Sequence, residues 1–154
     1  VATLATGRTF QNTLAAALPG MRRVLLDRNA TAVALDSLLA GIEPNTVVLF
    51  SPYIRVTANK GSVALPAHIA DFVKRAAAKT PLVLTTFGNP YVLLQFPEVG
   101  TYVVAWAQWD VLRRAAAGAL TGQVPITGRL PIAIPPLHKL GEGIQIPARG
   151  GTRE

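Results

Sequence analysis

The acidic side chains are the first place to look for acid–base chemistry in this sequence, and they are few. Bond cleavage by paired carboxyl groups requires two of them to face each other across the bond. Only Asp27 follows a predicted strand, at the edge where open α/β sheets bind ligands. A single aspartate there can also cap a helix, so both roles are open. The eight acids are Asp27, Asp36, Glu43, Asp71, Glu98, Asp110, Glu142 and Glu154.

The other side chains that could carry chemistry do not form a known motif. The absence of cysteine excludes thiol catalysis, disulfides and zinc–thiolate sites, and it fits a cytoplasmic or an exported bacterial-type protein equally. His68 and His138 lack a second ligand at metal-binding spacing, so we expect no metal and no cofactor. Ser51 is followed by Pro52, where a nucleophile elbow needs a free backbone N–H. Gly7 predicts a tight turn, although a helix start there could bind an anion weakly.

Four polar residues follow two of the predicted strands. Tyr53 and Arg55 come after the third, and Asn89 and Tyr91 come after the fourth. Because the carboxyl ends of parallel strands meet at one edge, these side chains are candidates for contact with a ligand or a neighbouring domain. Alternatively, Asn89 caps a helix and Tyr91 packs beneath the loop.

Short apolar runs alternate with segments of helical periodicity along the chain. Residues 47–50 are consecutively apolar, which is typical of a strand that is covered on both faces. The predicted strands are residues 1–6, 23–26, 46–51, 81–86 and 101–106. Five helices are predicted. The first follows Gly7, the second begins at a cap at Asn29 or Thr31, and the third has Pro66 in its first turn. The fourth is short and follows a cap at Asn89, and the last covers residues 110–120.

This alternation predicts an α/β fold, a three-layer sandwich. We expect a mostly parallel sheet of five to six strands with helices on both faces. Residues 1–154 are predicted to form one domain, cut from a longer chain. Prolines bracket residues 128–136, which predicts an edge strand or an extended closing arm against the sheet.

Composition and charge remove several classes of protein. Half of the residues are hydrophobic, which excludes a disordered chain, and no apolar run approaches the length of a membrane span. The net charge of +7 makes nucleic-acid binding a candidate function. However, the basic residues are spread along the chain, and no aromatic residues interleave with them, so we expect no nucleic-acid partner.

Three segments in the second half of the chain resemble one known domain in their order and spacing. The first is Phe87-Gly88-Asn89-Pro90-Tyr91, after a buried strand. The second is the alanine-rich stretch from Arg113 to Leu120, with Gly122 after it. The third is Gly128-Arg129-Leu130-Pro131-Ile132-Ala133-Ile134-Pro135. Together they resemble the C-terminal domain of family 3 glycoside hydrolases, and they are most similar to the β-N-acetylglucosaminidase branch.

The resemblance implies an accessory role. In that branch the catalytic residues lie in a preceding (β/α)8 barrel, so no residue of this chain inherits a catalytic role. A second-domain glutamate acts in the β-glucosidase branch, but Glu43 and Glu98 lie in no supporting motif. The implied partners are the barrel of the same protein and a downstream serine-hydrolase-type domain. The alternative function is a self-sufficient small-molecule enzyme or sensor that uses the strand-end edge near Asp27, Tyr53 and Asn89.

Overall fold

The computed structural model describes residues 7–54 and 64–149, and the predicted strand at residues 1–6 lies outside them. Four α-helices, four strands and one 3₁₀ helix occur within these ranges. The helices are α1 (Arg8–Ala17), α2 (Ala32–Ala40), α3 (Ala67–Lys79) and α4 (Asp110–Leu120). The strands are β1 (Val48–Phe50), β2 (Tyr53–Ile54), β3 (Leu82–Gly88) and β4 (Thr101–Val104), and the 3₁₀ helix is Pro90–Gln95.

Strand β3 is the centre of a fully parallel sheet. On one side it pairs first with β1, where Leu49 lies opposite Val83, and then with β2, where Tyr53 lies opposite Phe87. On the other side it pairs with β4, where Leu84 lies opposite Tyr102. Most of β3 is buried, as a strand covered on both faces should be. The α/β fold class with a parallel sheet is therefore confirmed.

Helices cover both faces of this sheet, which makes three layers. On one face, α2, α3 and the 3₁₀ helix pack in a cluster that includes Leu35, Phe72 and Val92. On the other face, α1 and α4 pack in a second cluster around Phe10 and Ala117. Apolar area removed from water in these two layers is the main source of stability of such a fold.

The element boundaries follow local chemistry. The Thr31 side chain accepts a hydrogen bond from the Ala34 N–H and begins α2. Asn89 does the same for the Tyr91 N–H, and Pro90 then takes the first position of the 3₁₀ helix. Pro66 lies one residue before α3, as its N-cap, rather than inside the first turn.

The strand predicted at residues 23–26 is not paired in the structure. Residues 21–27 carry no ladder with any described strand. Side chains of α1 hold this segment instead: Gln11 Nε2 donates to the Val24 carbonyl at 2.8 Å, and Asn12 Oδ1 accepts from Arg23 at 2.8 Å. Four strands, rather than five to six, therefore pair within the described residues.

The predicted closing arm at residues 128–136 pairs with the rest of the tail and with no strand of the sheet. Leu130 N–H donates to the Glu142 carbonyl at 2.7 Å, and Ile134 bridges His138 in an antiparallel sense. A further antiparallel bridge joins Ile126 to Ile146. Three prolines remove N–H donors from this segment, which limits it to isolated bridges. Within this segment the Ile134 side chain is fully buried.

Candidate functional site

The carboxyl edge of the sheet is where the ends of β2, β3 and β4 meet. Gly88 ends β3 with a φ of +122°, and a Cβ there would collide with the Ile54 carbonyl oxygen of β2. Only glycine allows the two strands to approach so closely at this conformation. Asn89 follows directly after this close approach, at the carboxyl edge of the sheet.

Tyr53 lies in β2 at the carboxyl edge of the sheet and packs against the α1–α4 layer. Its ring stacks on Phe87 with centroids 4.8 Å apart, and the Arg113 guanidinium lies 5.7 Å from the ring centroid. Burial raises the pKa of Tyr53 to about 12, against smaller lowering effects of Ser51 and Arg113. Tyr53 is therefore a neutral packed phenol at ordinary pH, and it cannot act there as a base.

Asn89 and Tyr91 behave differently from each other. Asn89 is buried, and its Oδ1 accepts from the Tyr91 N–H at 3.1 Å, which confirms the capping alternative. Its Nδ2 has no hydrogen-bond partner among the described residues. The prediction that Tyr91 packs beneath the loop is wrong, because its side chain is exposed on the 3₁₀ helix.

Asp27 caps a turn and not a helix. Its Oδ1 accepts from the Asn29 N–H at 2.7 Å, and its carbonyl accepts from the Ala30 N–H at 3.0 Å. Thr31 takes the helix-capping role that was also open to Asp27. Arg55, the remaining candidate, lies outside the described residues. Of the five candidates, Tyr53, Asn89 and Tyr91 follow the joined strands at one edge, and Asp27 lies in a loop beside it.

The other described acids pair with basic side chains or stand exposed in turns. Asp36 lies 2.7 Å and Asp71 3.7 Å from Arg75 Nη1, on the outer surface of α2 and α3. Asp110 pairs with Arg113 within the first turn of α4 at 2.5 Å. Glu142 pairs with His138 in the tail, and this contact lowers the pKa of Glu142. These pairings tie the acids to structural partners.

The described residues were also compared with what a metal site or a membrane span requires. His68 is exposed in the first turn of α3, with its Nε2 3.0 Å from the Arg28 carbonyl. In residues 7–54 and 64–149, no three His, Asp or Glu side chains come together as a metal-binding group. No helix in these ranges is long and apolar enough to cross a bilayer.

A missing partner domain predicts an exposed apolar patch on one face or edge, but the individual residues exposed near the carboxyl edge were not predicted from the sequence. Trp106 follows β4 directly, with a φ of +31°, and Trp109 precedes α4 with 71% of its side chain exposed. Tyr91 and Leu94 are exposed on the 3₁₀ helix that follows β3. We call Tyr91, Leu94, Trp106 and Trp109 the edge patch. The signal in the sequence was that both tryptophans of the chain lie within four residues of each other after a strand.

A groove of about 1420 Å³ lies beside β1. Residues 20–28 line one wall, and residues 46–54 line the other. Asp27 and Tyr53 both belong to this lining. The groove and the edge patch are both surface features of the described residues that could bind a ligand or a partner.

No protein-family model matches the chain, and no curated protein matches it. Its fold is similar to a solved structure of a fungal multi-domain GH3 beta-N-acetylglucosaminidase, in which a unique GCN5-related glucosamine N-acetyltransferase region exists. The TM-score is 0.68 at 20% sequence identity. The match covers 90% of this chain and 15% of that chain. At this identity the likeness shows the fold.

Proposed function

We propose that this chain is an accessory, non-catalytic domain of a family 3 glycoside hydrolase of the β-N-acetylglucosaminidase type. In this proposal, residues 1–154 are one α/β-sandwich domain of a longer protein. A separate (β/α)8 barrel hydrolyses terminal β-linked sugars, and this domain packs against it. A downstream serine-hydrolase-type domain is a further possible neighbour in the same chain.

The edge patch is the observation that carries the proposal. The carboxyl edge is where an α/β enzyme would place its reactive groups. At this edge the described residues instead present Tyr91, Leu94, Trp106 and Trp109 to solvent. Exposed aromatic side chains clustered at one surface are typical of protein interfaces, in which tryptophan and tyrosine contribute much of the binding energy.

The structural likeness supports a multi-domain setting. The matched protein is a multi-domain GH3 enzyme, and the match covers a small part of its length. The segments that resemble the family 3 C-terminal domain, residues 87–91 and 128–135, agree with that setting. The occupant of the edge patch is therefore proposed to be the barrel of the same protein.

The groove favours a second candidate, a small-molecule-binding α/β domain. It is large, and Asp27 and Tyr53 line it. However, Asp27 holds its own turn and Tyr53 is a buried neutral phenol, so neither side chain is set up as an acid–base group.

Hydrolysis of a chromogenic β-N-acetylglucosaminide tests the proposal. The purified chain alone should give no turnover, and activity should appear only when the upstream barrel is supplied. Turnover by the chain alone would overturn the proposal, and Asp27 and Glu98 would then be the first residues to mutate.

Matched substitutions locate the interface. Trp109→Glu places a charge in the edge patch, whereas Val33→Glu places one on α2, where 76% of the Val33 side chain is exposed. If the edge patch docks on the barrel, Trp109→Glu should weaken binding of the separate barrel by about 30-fold. Val33→Glu should leave the affinity unchanged. Equal affinities of the two variants would remove the edge patch as the interface.

A further inference from the structure

We propose that Trp106 is an anchor residue of the edge patch, and that the chain holds its indole outward although this lowers the stability of the fold. The inference rests on the proposed function, because the partner that Trp106 contacts is the (β/α)8 barrel of the same protein. It adds which side chain carries the contact and what that contact requires of the backbone.

The backbone at Trp106 is strained. Its φ is +31°, in the left-handed range that a bulky residue rarely adopts. The Ala107 N–H donates to the Ala105 carbonyl, so Trp106 stands at the centre of a three-residue turn. With a positive φ at its centre, such a turn is the rare and strained form. Strain of this kind persists only where the surrounding structure enforces it.

Elsewhere the chain uses other amino acids for a positive φ. Within the described ranges, four glycines and two other residues have one. The first of the two is Asn45, and asparagine tolerates the left-handed range because its short side chain can hydrogen-bond locally. The second is Trp106, the bulky exception within these ranges. Glycine would fit position 106 without strain, so a tryptophan there indicates a task other than folding.

The chain on both sides of Trp106 is fixed. Ala105 is buried, and its N–H donates to the Thr86 carbonyl at 2.9 Å, which extends the β3–β4 pairing to the residue before Trp106. Trp109 is the N-cap of α4, and its carbonyl accepts from the Leu112 N–H at 3.0 Å. The strained turn therefore cannot relax without disturbing β4 or α4. Trp106 is held 41% exposed between these two fixed ends.

A fixed and exposed indole is suited to binding a protein surface. Tryptophan is enriched among the residues that contribute most of the binding energy at protein interfaces. Because the backbone already holds Trp106 outward, its binding loses less conformational entropy than that of a mobile side chain. Trp109 is more exposed, but its φ of −80° is ordinary, so its exposure involves no backbone strain.

Alanine and glycine at position 106 test the strain. Both remove the indole, and only glycine also relieves the backbone. Trp106→Gly should therefore have a higher urea midpoint than Trp106→Ala, which reverses the order expected at an ordinary φ. Leu94 is the control, since it is exposed within the 3₁₀ helix, where φ is negative. Leu94→Gly should have a lower midpoint than Leu94→Ala, and the same order at position 106 would contradict the strain.

Calorimetric titration with the separate barrel tests the contact. Trp106→Ala and Trp106→Gly should both weaken binding by about 30-fold, and Trp106→Phe should bind more tightly than either. Asn45→Gly is the matched control, because Asn45 is an exposed residue of positive φ outside the edge patch, and its affinity should equal that of the parent chain. A Trp106→Gly variant that is the more stable of the pair and still binds weakly excludes loss of structure as the cause.

The same titration separates the two proposals. Parent-like affinity of Trp106→Gly would overturn the role of Trp106 and leave the docking of the edge patch intact. Failure of the parent chain to bind the barrel would overturn the proposed function, and the role of Trp106 with it.

Discussion

Thr85 and Thr86 are neighbours on β3 with equally buried side chains, but their hydroxyl groups meet different surroundings. Thr86 Oγ1 donates to the Asn89 carbonyl at 3.1 Å, which fixes the turn at the carboxyl edge. Thr85 Oγ1 has no hydrogen-bond partner within the described ranges. A buried hydroxyl without a partner destabilises the fold, whereas a paired one stabilises it.

We therefore expect opposite effects from one substitution. Thr86→Val should lower the free energy of unfolding by about 1–2 kcal/mol, because it leaves a buried carbonyl without its donor. Thr85→Val should be neutral or raise that free energy by about 1 kcal/mol. Urea denaturation of both variants measures the difference. Equal losses at the two positions would contradict the assigned hydrogen bond.

Tyr53 gives a pH dependence whose sign follows from its pKa. An unfolded tyrosine ionises near pH 10, and in the folded chain burial raises the pKa of Tyr53 to about 12. The stabilisation is fully present below pH 10 and is lost as the pH rises from 10 towards 12. Tyr53→Phe should lose less stability over that window than the parent chain. Burial also raises the pKa of Tyr102, but this residue is the same in both proteins. Parallel curves would contradict the prediction.

The role of a single residue was predicted correctly where one short-range contact determines it. The Asn-Pro pair at residues 89 and 90 signals a cap, and the cap is present. The position of Tyr91 was not predictable in the same way, because burial of a side chain depends on elements distant in sequence. Asp27 shows the same limit: the turn that it caps competes with the helix start at Thr31.

At the level of elements, α1 is held by one face only. Phe10 and Leu14 are buried, and the Phe10 ring meets Phe87 edge-on with centroids 5.0 Å apart. Leu18, just beyond the helix, is 39% exposed. The helix thus binds to β3 and α4 through its buried side chains.

Truncation of a buried side chain within α1 and of a part-exposed one at its C-terminal end should differ strongly. Phe10→Ala should lower the free energy of unfolding by about 3–5 kcal/mol, because it leaves a cavity between α1, α4 and β3. Leu18→Ala should cost less than about 1 kcal/mol, since much of that side chain is already in water. Thermal or urea unfolding of the pair checks this. A small effect of Phe10→Ala would mean that α1 is not part of the folded core.

Among the elements, periodicity predicted the helices and the central strands. It failed for segments that can form a strand only if a neighbouring strand pairs with them. Residues 110–120 form α4 as expected, since helical hydrogen bonds are local. Residues 23–26 have strand composition, but a strand also requires a neighbour, and no described strand supplies one. The tail prediction failed for a related reason, since Leu130 pairs with Gly141 and Glu142, and Ile134 pairs with His138, all within the tail itself.

For the whole molecule, many of the basic side chains are already engaged with the chain itself. Arg75 pairs with Asp36 and Asp71, and Arg113 pairs with Asp110. Lys79 donates to the Leu39 carbonyl at 2.9 Å. The basic side chains of the described residues are thus distributed over separate elements and do not form one binding stripe there.

We therefore expect duplex DNA to bind with a dissociation constant weaker than about 10⁻⁴ M at physiological salt. Fluorescence anisotropy with a labelled duplex measures it. Asp36→Lys releases Arg75 from its partner and adds positive charge, so this variant should bind more tightly than the parent chain. Binding by the parent chain tighter than about 10⁻⁶ M would contradict the prediction.

The layered fold was predictable because alternation of element types is a property of the whole sequence. The residues of the edge patch were not, because exposure of Trp106 and Trp109 depends on which side of the finished sheet they reach. Composition suggested an apolar interior, and both tryptophans could have belonged to it.

The parallel sheet also sets an order of folding. Val83 on β3 meets Thr101 on β4 across 18 residues, whereas Val48 on β1 meets Leu82 across 34. The shorter loop closes with an entropic advantage of about 0.6 kcal/mol. The β3–β4 pair should therefore form early and β1 should join later. During synthesis, β1 leaves the ribosome before β3 exists, so the half of the sheet that is made first must wait for the half that is made last.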